Sequence, residues 1–292
     1  MEYRWNARLF RSRFGPWLRL MRFDRPIGIF LLLWPTWWGL WFAAGGMPSL
    51  RNLLIFTSGV VIMRAAGCVI NDYADRRLDP QVARTRDRPI AAGEIRPRQA
   101  LGLFFGLLLV AFVLVLLTNR LTVLLAFGGV LLAGTYPFFK RFTHLPQLVL
   151  GAAFGWAIPM AFAAETGTVP ALAWWLFAVS LLWTLVYDTQ YAMADREDDL
   201  KVGNRSTAIL FGRADVPIIA ALMGLMVALL VLIGLIHLPH PAWFVGVFAA
   251  FVLFQHQLWR IRERRPEQCF AAFLSNHWVG LVIWAGLAVA LY

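Results

Sequence analysis

LLIFTSGVVIMRAAGCVINDYADRRLD, residues 53–79, decides how this chain folds. The stretch is apolar for long enough to cross about 30 Å of hydrocarbon, and it then places Asp72, Asp75 and Asp79 at its end. A carboxylate carried toward lipid costs several kcal/mol, so three of them at the end of a membrane span need a partner that offsets that cost.

The rest of the chain carries the same pattern. Apolar runs recur near residues 26–44, 52–72, 99–118, 121–138, 145–164, 170–190, 215–236, 241–259 and 274–291 of the 292-residue sequence. With 60% hydrophobic and 15% charged residues, a water-soluble surface is excluded. The expected fold is all-α, a polytopic bundle of nine transmembrane helices forming one domain over residues 1–292.

The net charge of +11 reflects topology rather than nucleic-acid binding. With the N-terminus inside, the inner segments hold twenty-four Lys and Arg, the outer ones hold only Arg51 and Arg120, and Arg64 lies within the second span. That asymmetry predicts a cytoplasmic N-terminus. Residues 1–25 are arginine-rich and poor in acids, which fits a presequence or a basic interfacial helix. The arginines continue into "MRFDRPIG" at the mouth of the first span, which favours the interfacial helix. Cys68, Cys269 and the five histidines show no metal-ligand spacing.

A second acidic cluster follows the sixth span in "YDTQYAMADREDDLKVGNRSTAILFG". D-R-x-x-D occurs at Asp75–Asp79 and again at Asp195–Asp199, and both spans leave the membrane on the same side, the signature of a parallel repeat. If the second span stays helical past Asn71, Asp72, Asp75 and Asp79 fall within about 60° on one face; Asp188, Asp195 and Asp199 fall within about 40°. Facing carboxylates about 4 Å apart repel by about 4 kcal/mol at an effective dielectric near 20, so opposed rows call for a multivalent cation. Mg²⁺ suits oxygen donors and is commonly shared between carboxylates and substrate phosphates. Cations suited to a phosphate occur at Arg88, Lys140, Lys201 and Arg205, and "YPFFK" puts Tyr136 and Lys140 on one helix face. Metal, diphosphate and a dry apolar bundle together suit the ionisation of an allylic diphosphate, whose leaving oxygens need electrostatic stabilisation.

These motifs, NDxxDxxxD at 71–79, YxxxK at 136–140 and YDTQYAMADREDD at 187–199, resemble the UbiA superfamily of intramembrane prenyltransferases over nearly the whole chain. The resemblance implies a nine-helix bundle in the bacterial inner membrane, with a central cavity open to the cytoplasmic side. It further implies Mg²⁺-dependent transfer from polyprenyl diphosphate to the carbon ortho to the phenol of 4-hydroxybenzoate, in ubiquinone synthesis. Carried over by motif, Asp72, Asp75, Asp79, Asp195 and Asp199 hold the metal. Asn71, Arg88, Tyr136 and Lys140 hold the diphosphate, and Asp188 acts at the acceptor phenol. Arg22 or Arg25 would pair with the acceptor carboxylate. A sister enzyme using haem, naphthoate or another aromatic acceptor is the alternative, and a cation-coupled transporter is the alternative from another class.

Overall fold

The computed structural model describes residue 10 and residues 12–81, 85–139 and 142–292. All regular structure among them is helical. A short helix α1 (Gly15–Leu20) precedes α2 (Ile27–Ala44), α3 (Leu50–Asp75), α4 (Pro97–Leu116) and α5 (Arg120–Phe139). There follow α6 (Pro146–Gly155), α7 (Ala157–Thr166), α8 (Ala171–Val202), a one-turn α9 (Thr207–Phe211), α10 (Asp215–His237), α11 (Pro241–Ile261) and α12 (Pro266–Ala290).

Eight helical segments are long and apolar enough to cross a bilayer, with α6 and α7 together forming one of them. The 20-residue α5 is apolar as well over Arg120–Tyr136. The break between α6 and α7 follows from Pro159, which has no N–H to offer the carbonyl of Gly155 and whose ring would strike it. Trp156, at the break, donates from Nε1 to the carbonyl of Leu125 at 2.8 Å and so ties the segment to α5. Gly128 and Gly129 make room for its ring: a Cβ there would lie 2.9 Å and 3.0 Å from it.

The centre of the bundle is packed by α2, α8 and α12. Trp38 and Trp183 are buried with ring centroids 5.3 Å apart, and a Cβ on Gly280 of α12 would lie 2.3 Å from Trp34 and 2.7 Å from Trp183. Buried polar groups are joined between helices rather than left to lipid. Trp183 donates to Asn276 (3.0 Å), Asn276 to Gln190 (2.8 Å) and Gln190 to Gln257 (3.1 Å). In hydrocarbon such bonds substitute for the water that is missing. The outer faces of α4 and α5 carry Phe105, Leu116, Leu124 and Leu131, all more than half exposed. Such a surface would aggregate in water, whereas lipid solvates it. The chain is an integral membrane protein.

One expectation about helix ends needs correction, and the other, a continuous helix carrying Asp188, Asp195 and Asp199, is met. The second span stops at Asp75, so Asp79 does not lie on a continuous helical stripe with Asp72 and Asp75; it sits on a 3-10 turn, Asp79–Gln81. Pro80 is the reason, because it has no N–H to offer the carbonyl of Arg76 and its ring would strike that carbonyl if the helix continued. The sixth span runs on as α8 to Val202, well past its apolar run, because "ADREDDLKV" consists mostly of good helix formers.

Of the basic N-terminal segment, the described part packs against the end of the bundle. Leu20 of α1 is fully buried with Val69, Ile90 and Ile95, and Arg19 is paired with Glu94, while Phe14 remains exposed.

Candidate active site

A cavity of about 980 Å³ runs through the bundle. On α3 its lining recurs every three or four residues from Ile55 to Asp75, a stripe of about 30 Å at 1.5 Å per residue. Along most of that length the wall is apolar. At one end Asn71, Asp72, Asp75 and Asp79 line it from α3 and the following turn, and Asp188, Asp195, Asp198 and Asp199 line it from α8. Both acidic groups therefore open onto one space. Tyr136, at the end of α5, is within electrostatic reach of both Asp75 and Asp188.

The first group is held by arginines. Arg22 donates to both oxygens of Asp72 (2.9 and 3.1 Å), Arg88 lies 3.2 Å from the same carboxylate, and Arg88 donates to both oxygens of Asp79 (3.1 Å each). Asp72, Asp75 and Asp79 are all buried. Burial pushes the Asp79 carboxyl up to about 6; Arg88 pulls it down, and Asp75 and Asp72 add to the rise. Burial also works against the charge of Arg88, but the carboxylates of Asp72 and Asp79 outweigh it and push its pKa up. The 85–96 segment covers this end: Thr85 donates to the carbonyl of Asp79 (3.0 Å), and Ile90 and Ile95 are buried.

Among the described residues, no three His, Cys, Asp or Glu side chains form a chelating cluster. The donor set nevertheless fits Mg²⁺. It consists of carboxylate oxygens on two walls, and Mg²⁺ usually takes one or two carboxylates and completes its octahedron with water and substrate phosphate.

Asp188 sits deeper than the second acidic group by seven residues, about 10.5 Å of helix. Gln147, itself buried, hydrogen-bonds to it and accepts from the backbone N–H of Thr207 at 3.2 Å. The residue most conspicuous at this depth was counted in the sequence only for topology: Arg64, the fifteenth residue of α3, which lines the cavity and acts electrostatically on Asp188 and Tyr136. It donates to the sulfur of Cys68, and its Nε has no hydrogen-bond partner among the described residues. Gly28 on α2 makes space for it, since a Cβ there would fall 2.1 Å from that Nε. Arg64 precedes Asn71 by seven residues, the spacing that separates Asp188 from Asp195. A lone arginine inside an apolar span was the signal that could have found it.

The other predicted cations are distributed unevenly. Arg25 lies on the rim, 59% exposed and 3.8 Å from Asp24. Arg205 lines the cavity and donates to the carbonyl of Phe142 (2.8 Å), whereas Lys201 is exposed and pairs with Asp198 (3.2 Å). Lys140 lies outside the described residues.

Among the described residues, the lining is well exposed in two places only. One is the polar rim of Arg25, Asp87 and Arg205 beside the acids. The other is apolar: Leu109 and Phe112 on α4 and Phe127 and Val130 on α5, exposed by 63, 39, 60 and 42%. The rings of Phe112 and Phe127 lie 6.0 Å apart across this sideways opening.

An apolar membrane cavity that ends in two acidic groups with arginines around them fits the class of intramembrane enzymes that act on a long apolar chain with an anionic head. The sequence profile of the UbiA prenyltransferase family matches residues 32–280, and the chain belongs to that family. It is 57% identical over 287 residues, 98% of each chain, to the 4-hydroxybenzoate octaprenyltransferase of Alkalilimnicola ehrlichii. To the enzyme of the same name from Ectopseudomonas mendocina it is 58% identical over 273 residues, 93% of this chain and 92% of that one. Its fold is similar to a UbiA homolog from Aeropyrum pernix K1 (TM-score 0.80, 23% identity, 90% of this chain and 98% of that one). It is also similar to a UbiA homolog from Archaeoglobus fulgidus bound to GPP and Mg²⁺ (TM-score 0.74, 20% identity, 94% and 99%).

Proposed function

We propose that this protein transfers a polyprenyl group from polyprenyl diphosphate to the ring carbon ortho to the phenol of 4-hydroxybenzoate, with Mg²⁺ as cofactor. The observation that carries the reading is the pair of acidic groups opening onto one end of a long apolar cavity. The names borne by relatives 57–58% identical over almost their whole length support the acceptor.

Asp75, Asp79, Asp195 and Asp199 would hold the metal, which when bound neutralises charge on the departing pyrophosphate. Asp72, engaged by Arg22 and Arg88, would aim those guanidinium groups at the diphosphate together with Asn71, Tyr136 and Lys140. The apolar wall keeps water from the allylic cation. Asp188, fixed by Gln147, would accept the hydrogen bond of the phenol and raise electron density at the attacking carbon. Arg64, whose Nε has no hydrogen-bond partner among the described residues and which acts electrostatically on Asp188, is the better candidate for the acceptor carboxylate than Arg22, which is already paired, or Arg25, which is on the rim.

The reading extends to placement. The whole chain, 1–292, would form one domain with α5 as a ninth crossing and residues 1–25 along the lipid surface. The N-terminus and the cavity's polar rim would face the cytoplasm of a bacterial inner membrane, on the strength of the basic-residue asymmetry. Lipid, and not nucleic acid, is the surrounding partner.

The test is mass analysis of the product made by purified protein from 4-hydroxybenzoate, Mg²⁺ and a series of polyprenyl diphosphates. The expected product is the 3-polyprenyl acid, with equimolar pyrophosphate and no turnover in excess EDTA. Pyrophosphate without aromatic product would leave the acceptor wrong; no pyrophosphate at all would remove the enzymatic reading.

A further inference from the structure

Among the described residues, two that are not glycine have φ in the left-handed region, Arg22 (61°) and Arg264 (56°). Side chains with a Cβ avoid that conformation, and where it persists the surroundings impose it for a purpose. Arg22 uses it to reach Asp72 in the cavity. Arg264, in the turn between α11 and α12, uses it to reach another completely buried carboxylate, Asp215 at the start of α10.

Asp215 is tightly surrounded. Nε of Arg264 donates to its Oδ1 at 2.9 Å, the N–H of Val216 donates to the same oxygen at 2.7 Å, and Arg196 donates to the other oxygen. Arg264 also reaches the carbonyl of Arg213 (2.8 Å), and Arg196 reaches those of Ala208 (2.9 Å) and Gly212 (3.5 Å). Arg196 immediately follows Asp195 on α8. It turns away from the cavity that Asp195 and Asp199 face. The last turns of α8, beyond the apolar run, are thus bound on their outer side to the α9–α10 corner and to the α11–α12 turn. Because Arg196 lies about 100° from Asp195 and about 60° from Asp199 around the helix, fixing its direction fixes theirs.

We propose that Asp215 and Arg264 are positioning residues for the second carboxylate pair: through Arg196 they set the rotation of the end of α8 and so present Asp195 and Asp199 to the metal and diphosphate. Neither residue touches the cavity, and both are distant in sequence from the aspartate motifs. The proposal rests on the reading of those motifs as a metal–diphosphate site.

The experiment titrates Mn²⁺ into the full-length protein in the presence of inorganic pyrophosphate, follows free Mn²⁺ by electron paramagnetic resonance, and records the thermal midpoint in parallel. Asp215→Asn keeps the shape and removes the charge. Outer residues that orient metal ligands typically change affinity by about 10–100-fold, so half-saturation per folded molecule should rise about tenfold or more. Arg264→Gln should act in the same direction, and Arg264→Lys should restore part of the affinity. Should Asp215→Asn fail to fold, Arg264→Gln decides the question, since its side chain is part-exposed. A lowered thermal midpoint with Mn²⁺ binding at the wild-type value would reduce the cluster to a structural brace and overturn the proposal. Absence of Mn²⁺–pyrophosphate binding in the wild type would instead fell the metal reading itself.

Discussion

Replacing Arg64 with methionine separates recognition of the acceptor from everything else the cavity does. Methionine has a similar reach, no charge and no hydrogen-bond donor. Truncating one member of a desolvated, hydrogen-bonded charge pair costs about 2–5 kcal/mol. Arg64 is only half-buried and borders a cavity of about 980 Å³, so the lower end applies. About 2 kcal/mol corresponds to roughly a thirtyfold loss, expected in kcat/KM for 4-hydroxybenzoate and mainly as a raised KM. The assay compares 4-hydroxybenzoate with 4-hydroxybenzamide, which keeps the phenol and loses the negative charge; the variant should narrow the gap between them from the acid's side. Stability should move the other way. An arginine near the centre of a spanning helix costs about 2.5–3.5 kcal/mol relative to insertion of apolar residues, so Arg64→Met should melt at or above the wild-type temperature. Equal losses for acid and amide, or a KM within about threefold of wild type, would refute the assignment of Arg64 to the carboxylate.

Two further perturbations address the ends of the cavity. In the metal-free protein Asp79, raised to about 6 from an ordinary 3.8, binds more proton folded than unfolded between those values; that contribution to stability is present at low pH and lost as pH rises through about 6. Mg²⁺ must displace the same proton, so apparent Mg²⁺ affinity should fall as pH drops below about 6, by up to tenfold per unit, with proton release on binding in unbuffered titration; a flat dependence from pH 5 to 8 would count against Asp79 as a ligand. At the sideways opening, Val130→Trp should fill the space between α4 and α5 and lower kcat/KM for a long polyprenyl diphosphate about tenfold more than for geranyl diphosphate, in the range by which pocket shape discriminates; equal effects on both would show that the tail does not use this opening.

Much of this architecture could be read from the sequence because each element carries a local signature. The apolar runs marked the spans, and the repeated D-R-x-x-D marked the two walls. Helix ends were less legible, since a hydropathy run reports where lipid stops and not where the backbone hydrogen bonds stop. α8 therefore outruns its apolar segment, while α3 halts at Asp75 because Pro80 follows so closely. The arginines were least legible. Sequence alone offered Arg22 and Arg25 for one task, and only the fold shows that Arg22 is taken up by Asp72, fifty positions away, while Gly28 clears space for Arg64. Asp215 carried no signal, because its partners Arg196 and Arg264 lie 19 and 49 positions away in the sequence and are brought to it only by the fold.

The two exposed stretches of the lining differ in what borders them: charged side chains at one, lipid-facing leucine, valine and phenylalanine at the other. A reactant arriving by the first is counted in moles per litre of water, and one arriving by the second in moles per mole of phospholipid. Diluting a membrane preparation with buffer should then slow the reaction through the acid alone, while diluting it with inert lipid should slow it through the isoprenoid alone. A bacterium could set the flux through such an enzyme by expanding its membrane, with no change in the amount of either substrate.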